Sequence, residues 1–213
     1  MALSFNQQKG SAQKSNVDTF KYEDNSIFRI VGDILPRYVY WIKGDKDKPI
    51  PIECLAFDRA AEKFLNAEKD WVKDYYPDLK CGWAYCTQVI DPKDGKVKVI
   101  NLKKKMWEQI VSAAEDLGDP TDIETGWDVH VKRTKTGPLA YNVEYTVQVL
   151  RCKPRALSAE ERAAIKDLKS MEEVMPRPTP ESQKTLLDRF AKGGDSNSND
   201  DPDGDLEAEF NIN

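Results

Sequence analysis

Histidine and cysteine could give this sequence acid–base, nucleophilic or metal chemistry, but both are scarce. His130 is the single histidine, so neither a His-based triad nor a metal site with two histidines can be built. Cys81 and Cys86 have the spacing of half a zinc site, but a second closely spaced pair is missing, and Cys54 and Cys152 are scattered. We therefore expect free thiols, no metal and no cofactor. Glycine-rich phosphate loops are also absent, so the sequence predicts a protein that is not an enzyme.

Aromatic residues beside cations offer a different chemistry, the stacking of nucleobases next to a phosphate backbone. In the run from Arg37 to Lys43, alternation along a strand would place Tyr40 on one face and Trp41 on the other with the cations. Trp83 belongs to a second group of aromatic residues beside cations. The pattern does not decide whether Trp41 and Trp83 fill the core or form a platform on which bases stack. Trp127 and Tyr145 are predicted to belong to the core. The candidate contacts from these groups are Arg37, Tyr40, Trp41, Lys43, Trp83 and Tyr85.

Two basic clusters extend this candidate surface. The first, at residues 103–105, opens a predicted helix, where cations oppose the helix dipole and so have no stabilising role. The second lies at residues 132–135, in what the pattern indicates is a protruding hairpin tip, where neighbouring cations repel one another unless an anion is bound. These clusters add Lys103, Lys104, Lys132, Arg133 and Lys135 to the candidate contacts.

The last 21 residues have a composition of their own. From Gly193 onward there are seven acidic residues and no Lys or Arg, so the net charge of -5 leaves residues 1–192 at +2. The stretch ends in apolar residues, which a purely solubilising tail does not need, and this favours a ligand for a basic-rimmed apolar pocket on a partner protein. The predicted partner-binding residues are Asp203, Asp205, Leu206, Glu207, Glu209, Phe210 and Ile212.

The elements that would position these residues are mostly strands. Alternating β-branched and aromatic residues predict strands over 27–31, 38–42 and 52–57, and hairpins pairing 79–90 with 96–102 and 126–134 with 139–150. Helical spacing predicts helices over 58–67, 104–117, 159–168 and 181–190, with Asp58 and Ser158 as N-caps and a Pro-rich connector over 175–180. The fold class is mainly β with helical insertions, and the strand count favours a small Greek-key barrel.

Composition divides the chain into four regions. Residues 1–24 read as a flexible polar arm, 25–155 as the folded core, 156–192 as a helical and Pro-rich appendage, and 193–213 as a disordered acidic tail. No secretory signal or membrane-spanning stretch is recognisable, which predicts a cytoplasmic protein, in the host cell cytoplasm if a phage encodes it.

Three short motifs resemble a known family. Gly126-Trp127-Asp128-Val129, Lys135-Thr136-Gly137-Pro138 and Tyr141-Asn142-Val143-Glu144-Tyr145 are similar to the core of phage single-stranded-DNA-binding proteins related to the T-even helix-destabilising protein. The acidic tail is similar in kind to the tails of bacterial and phage proteins of that function. The resemblance implies an OB-fold, a five-stranded Greek-key barrel. It also implies an N-terminal cooperativity arm, whose place is taken here by residues 1–24. The T-even proteins hold a zinc ion with three cysteines and a histidine, and this sequence departs from them there.

These features predict a protein that binds single-stranded DNA without sequence preference in phage replication, recombination and repair. It would dock replication or recombination proteins through the tail and self-associate along DNA. An RNA-binding or protein-interaction OB-fold module is the alternative, because DNA and RNA share phosphates and bases. A nuclease ranks third, since its acidic cluster should lie within the core rather than in a tail.

Overall fold

The structure is a computed structural model that describes residues 18–43, 49–138 and 142–191. Nine strands lie within these residues, and seven of them form one open sheet whose strand pairings are all antiparallel. With a few helices added, the protein is mainly β, an arrangement consistent with an OB-like fold. The strands are β1 (Asn25–Ile30), β2 (Leu35–Lys43), β3 (Pro49–Glu53), β4 (Phe57–Asp58), β5 (Lys63–Phe64), β6 (Gly82–Asp91), β7 (Lys96–Lys103), β8 (Val129–Lys135) and β9 (Val143–Val147).

The long strand β6 organises the sheet. Strand β7 pairs along one of its edges, while the other edge is shared by β2 and β1. The path through the remaining strands runs β3-β2-β6-β1-β8-β9. Between β1 and β2 the chain crosses β6 at Gly32, where a Cβ atom would lie 2.6 Å from the side-chain oxygen of Gln88 and 3.1 Å from its backbone nitrogen. Only glycine allows so close an approach.

Five helices lie in the described part of the chain, and α2 is the longest. It packs its buried residues Met106, Ile110 and Ala113 against the sheet, and it ends at Gly118, whose φ of 81° closes the last turn. Ser158 caps α3 in a capping box with Glu161. The helices are α1 (Val72–Tyr75), α2 (Lys104–Leu117), α3 (Ala159–Ala164), α4 (Met171–Val174) and α5 (Pro180–Ala191).

Two large hydrophobic clusters lie along the sheet. The first fills the space under α2 and includes Phe28, Ile100 and Trp127, each with a relative exposure of 0%. The second surrounds Tyr40 and Phe57 and is completed by Leu187 of α5. The C-terminal region therefore contributes to the core, although its composition sets it apart from the strands.

A segment over residues 171–180, here called the C-terminal strap, fastens this region to the sheet. Arg177 donates from Nη1 to the carbonyl of Phe57 and from Nη2 to that of Leu55, both at 2.7 Å. Arg59, buried in an ion pair with Glu53, donates in turn to the carbonyl of Met175 at 3.0 Å. At the start of the strap, Met171 packs into a third cluster with Leu35, Cys86 and Val99.

The predicted helix over 58–67 is wrong, because the structure places the β4–β5 hairpin there. Asp58 does accept a hydrogen bond from the backbone N–H of Ala61 at 2.7 Å, as an N-cap would. The same bond also closes a turn, and here the chain turns back, with positive φ at Glu62 and Asn66 (both 50°). Arg59 is buried in an ion pair with Glu53, and this inward position fits the hairpin and not a surface helix.

The other predicted elements are present with altered limits. The strands and both hairpins form, α2 has the predicted bounds, and α5 extends one residue at each end. Helix α3 ends at Ala164 and not at 168, and α1 and α4 were not predicted. Strand β9 stops at Val147, and a 3-10 turn follows at Val149–Arg151. The acidic tail and most of the N-terminal arm lie outside the described residues.

Candidate nucleic-acid interface

Five aromatic side chains form a continuous row across β5, β2, β6 and α2, here called the aromatic row. Phe64 is 49% exposed, and the other members are half-buried, so their edges or faces reach the surface. Neighbouring rings contact one another along the whole row. Its members, in spatial order, are Phe64, Tyr38, Trp83, Tyr85 and Trp107.

The middle of the row is the most regular part. Trp83 and Tyr85 are stacked, with ring centroids 5.2 Å apart and an interplanar angle of 5°. Tyr38 lies 4.5 Å from Trp83, and Trp107 lies 5.5 Å from Tyr85, both with tilted planes. Stacked and tilted ring pairs are favourable in themselves, so the contacts within the row are stabilising before any ligand arrives.

Strand register explains why the row forms. Trp83 and Tyr85 are two residues apart on β6 and therefore share a face, and Tyr38 of β2 is paired directly with Trp83. Phe57, which is 1% exposed, supports the row from the core and contacts Tyr38 at 4.7 Å and Trp83 at 5.3 Å. Leu102 of β7 pairs with Tyr85, and the chain turns there into α2, which brings Trp107 to the end of the row.

Lys103 lies at this end of the row, one helical turn before Trp107. Its ammonium sits 5.8 Å from the ring centroid of Tyr145, and burial lowers its pKa. Within the described ranges no carboxylate pairs with it, whereas Lys104 and Lys105 contact Glu108 and Glu144. A partly desolvated cation without a counter-charge gains more from a bound anion than a solvated surface lysine does.

Two carboxylates also lie near the row. Burial raises the pKa of Tyr85, and the negative charges of Glu62 and Glu108, together with Tyr38, raise it further. Glu62 belongs to the β4–β5 hairpin, and Glu108 lies on α2 next to Trp107. The row is therefore a ring-rich surface with charge of both signs at its margins.

Two of the predicted contact residues are buried in the structure. Arg37 is 9% exposed and donates from Nη2 to Oδ1 of Asn101 at 2.8 Å. Tyr40 is 1% exposed, and its hydroxyl donates to Oδ2 of Asp70 at 3.0 Å. In this arrangement neither side chain can reach a ligand, because both serve the interior of the sheet.

Trp41 and Trp83 lie on opposite sides of the sheet. Trp83 shares its side with Tyr38, and Trp41 is three residues further along β2, so its half-buried ring points away from the row. Lys43, predicted beside Trp41, ends β2. Lys104 is exposed in the first turn of α2, with Glu108 at 3.7 Å. The structure therefore brings Trp83 and Tyr85 together in the row, places Lys104 next to Glu108 at the α2 end and Lys103 next to Tyr145, and leaves Trp41 elsewhere.

The second basic cluster is part of a strand and not a hairpin tip. Lys132, Arg133 and Lys135 all belong to β8, which pairs with β9 up to Lys135. Lys132 and Lys135 are exposed, while Arg133 is half-buried and lies 3.7 Å from Asp24. Because side chains alternate along β8, Lys132 and Arg133 point to different sides, and the cluster is divided.

Sequence reasoning missed three members of the row as contacts. Tyr38 lies in the run from Arg37 to Lys43 but is not among the predicted contacts, and Phe64 and Trp107 fall within the predicted helices over 58–67 and 104–117. The pairing of Tyr38 with Trp83 depends on strand register, which a single sequence does not carry. The Trp83–Tyr85 alternation was the usable signal, and it found the centre of the row.

Three further observations concern metal ligands, the histidine and the helices of the described residues. Within residues 18–43, 49–138 and 142–191, no three His, Cys, Asp or Glu side chains are arranged to hold a metal ion. His130 lies on β8 beside Asp128 and Arg151, and burial lowers its pKa. None of the helices in these ranges is long and apolar enough to cross a membrane.

The fold and the row together define a mainly β protein with an open antiparallel sheet and an aromatic surface. No protein-family model matches the chain. A protein of Escherichia phage T5 named "Probable ssDNA-binding protein" is 27% identical to it over an alignment of 247 residues. That alignment covers 98% of this chain and 94% of the T5 protein, so the similarity extends over both chains from end to end.

Proposed function

We propose that this protein binds single-stranded DNA without sequence preference, and that the aromatic row is the surface on which the bases stack. The observation that carries the proposal is the chain of contacting rings from Phe64 to Trp107. Every base has a face that can stack on such a ring, which makes the recognition tolerant of sequence. The name of the T5 relative supports single-stranded DNA as the ligand over RNA or protein.

Binding in this proposal needs no catalysis. Bases stack on Trp83 and its neighbours, while Lys103 and Lys104 neutralise phosphates at the α2 end of the row. Release of counterions from the DNA then makes the affinity dependent on salt. Melting of duplex DNA follows as a consequence of preferential binding to the single strand.

The decisive experiment measures the affinity of the full chain for labelled oligo-dT by fluorescence anisotropy, with oligo-rU and duplex DNA as competitors at two salt concentrations. Trp83→Ala is expected to weaken oligo-dT binding by about 1–3 kcal/mol, which is roughly 5- to 150-fold. Trp83→Phe keeps a ring in place and should recover most of this loss.

Trp41→Ala is the matched control, because it removes a half-buried indole from the other side of the sheet. It should leave the affinity close to that of the wild type. If Trp83→Ala keeps its fold and binds as tightly as the wild type, the row is not the stacking surface. A preference for oligo-rU over oligo-dT would instead support the RNA-binding alternative.

Several finer assignments extend the proposal. We assign residues 25–155 to a core of the OB type, in which five of the seven strands of the sheet would form the Greek-key barrel, flanked by the arm over 1–24, the appendage over 156–192 and the acidic tail over 193–213. Phage replication, recombination and repair, in the host cell cytoplasm, are the processes we propose for it, with a resemblance to the T-even proteins as support. Protein partners would dock on the tail, and neighbouring copies would associate along DNA.

A further inference from the structure

Two cysteines meet beside a cavity at one end of the sheet, away from the α2 end of the row. Cys54 directly follows β3, and Cys81 directly precedes β6, so they flank β2. Both line a cavity of about 520 Å³ together with Tyr40, Asp70 and Lys73. Of the four cysteines, Cys81 is half-buried and the other three are buried, so Cys81 is the one that solvent can reach.

Hydrogen bonds hold the Cys54 thiol in a fixed place. Its Sγ lies 3.1 Å from Oδ2 of Asp70 and 3.3 Å from the hydroxyl of Tyr40. The second carboxylate oxygen of Asp70 is occupied by the backbone N–H of Val72 and the side-chain amide of Gln183. Cys54 also lies within hydrogen-bonding reach of the Cys81 sulfur.

The neighbours of Cys81 lower the pKa of its thiol, whereas the pKa of Cys54 is raised. Cys54 and Tyr40 are neighbours that favour the thiolate of Cys81, and the nearby Lys73 ammonium adds a positive charge. Together they lower the pKa of Cys81 to about 7 despite partial burial. Hydrogen bonding to Cys81 and burial raise the pKa of Cys54. The titratable and charged groups around the cavity are Tyr40, Cys54, Glu68, Lys69, Asp70 and Lys73.

Cys86 and Cys152 have neither the solvent exposure nor the lowered pKa of Cys81. Cys86 is 0% exposed and Cys152 is 4% exposed, and burial raises the pKa of each thiol. The thiolate, not the thiol, is the nucleophile in cysteine chemistry, so these two are inert in the folded protein.

We propose that Cys81 and Cys54 form a redox modification site, in which Cys81 is the nucleophile and Cys54 the resolving thiol, with hydrogen peroxide as the oxidant. The Cys81 thiolate attacks one peroxide oxygen, the O–O bond breaks, and the hydroxide that leaves takes up a proton to become water. Cys81 then carries a sulfenic acid. The Cys54 sulfur attacks the Cys81 sulfur, the S–O bond breaks, and a second water leaves. Two thiols have then lost two electrons to one peroxide molecule, and the product is a Cys54–Cys81 disulfide.

The surrounding groups assist each step. Lys73 is held over the Tyr40 ring at 5.5 Å and donates to the carbonyl of Leu79 at 2.9 Å, which keeps its charge near Cys81. Asp70 already accepts a hydrogen bond from Cys54 and is a base in place for the proton that Cys54 must lose. The cavity adjoins the Phe64 end of the aromatic row, because Phe64 also lines it, and Cys81 precedes Trp83 by only two residues.

The first test treats the full-length protein with hydrogen peroxide, blocks the remaining thiols and maps the peptides by mass spectrometry. We expect a Cys54–Cys81 linkage, with Cys86 and Cys152 still reduced. In Cys54→Ser the resolving thiol is gone, so a sulfenic acid should persist on Cys81 and be trapped by dimedone. Oxidation of Cys86 or Cys152 at the same rate, or the absence of the Cys54–Cys81 peptide from the wild type, overturns the proposal.

The second test needs no cysteine substitution and follows the rate of iodoacetamide labelling at Cys81 as pH is varied. The midpoint is expected near pH 7, and Lys73→Gln should move it upward because a favourable positive charge is lost. Lys69→Gln is the matched control, since it removes an equal charge from the same cavity and should shift the midpoint less. A wild-type midpoint at about 8.5, the value for an ordinary thiol, would contradict the assignment.

Discussion

Lys103 shows how a single side chain can reveal a binding surface. A lysine that is partly removed from water and pairs with no carboxylate among the described residues weakens the fold slightly, and a bound phosphate would offset that cost. Lys103→Gln is therefore expected to weaken oligo-dT binding and to reduce the slope of log affinity against log salt by roughly 0.7. The stability of the fold should stay the same or rise, as thermal unfolding can check.

Lys166→Gln is the comparison for this variant, because Lys166 is exposed beyond the end of α3. It changes the net charge by the same amount and should leave the slope almost unchanged. Equal slopes for the wild type and Lys103→Gln would exclude a phosphate contact at Lys103.

Removing the charge of Glu62 is expected to strengthen oligo-dT binding, the opposite of the effect expected at Lys103. Its charge is felt at Tyr85 in the middle of the row, so it repels a phosphate backbone that follows the row. Glu62→Gln should tighten oligo-dT binding, by a few-fold at low salt and less at high salt, where the repulsion is screened. Asp116→Asn, an exposed acid on the last turn of α2, should produce a smaller effect in the same anisotropy titration.

Among the elements, α3 is attached to the sheet mainly through one arginine. Arg155 donates to Asp128 at 2.7 Å and forms a two-pronged contact with Glu161, also at 2.7 Å. The hydrogen bonds from Arg155 hold the pKa of Glu161 below its ordinary value. This contribution is present above the pKa of Glu161 in the unfolded chain and is lost as pH falls through its folded value.

Glu161→Gln is accordingly expected to lower the free energy of unfolding by about 1.5–3 kcal/mol at pH 7. The difference from the wild type should begin to shrink below about pH 4.3, the ordinary pKa of a Glu side chain, and should vanish only below the lowered folded-state pKa, where the native carboxylate is protonated. Urea unfolding at both pH values measures this. Glu160→Gln, at an exposed neighbouring position that does not contact Arg155, is the control; a constant difference across pH would show that charge is not involved.

How far the sequence determines the elements can be judged from two of them. Helix α2 was predictable to the residue, because its apolar spacing, its preceding strand and Gly118 all agree. The β4–β5 hairpin was not, because the Asp58 side chain makes the same local hydrogen bond in a helix cap and in a turn. The tertiary Glu53–Arg59 ion pair and the Arg177 contacts fit the hairpin, and neither is visible in local pattern.

The candidate site also has one part that could be predicted from the sequence and another that could not. Trp83, Tyr85, Lys103 and Lys104 could be selected from residue type and alternation alone. Arg37 and Tyr40 also stand next to aromatic residues in sequence, but their burial depends on partners 64 and 30 residues away. The row itself exists only after β2 pairs with β6, so its full membership required the structure.

At the scale of the whole molecule, the uneven distribution of charge along the chain leads to a prediction about DNA binding. The seven acids beyond Gly193 belong to the same chain as a body of net charge +2, and covalent linkage through a short linker gives an effective concentration of about a millimolar. They should compete with DNA phosphates for basic side chains. Deleting residues 195–213 is expected to tighten oligo-dT binding, most strongly at low salt.

Phe210→Ala with Ile212→Ala separates the two roles proposed for this tail. The charge is unchanged, so DNA affinity should stay the same, whereas capture of a replication or recombination protein should be lost. If the deletion leaves the affinity unaltered at every salt concentration, the tail does not compete for the DNA surface.

The C-terminal strap also determines when the molecule can be completed during synthesis. Arg177 bonds a carbonyl 122 residues earlier in the chain. At about 5–20 residues per second, a ribosome needs roughly 6–24 s to make the intervening residues. Until then the carbonyls of Leu55 and Phe57 have only water as a partner, and Leu35, Cys86 and Val99 lack the side chain of Met171 that covers them. The third cluster and the Arg177 contacts are therefore completed only after the last part of the described chain has been made.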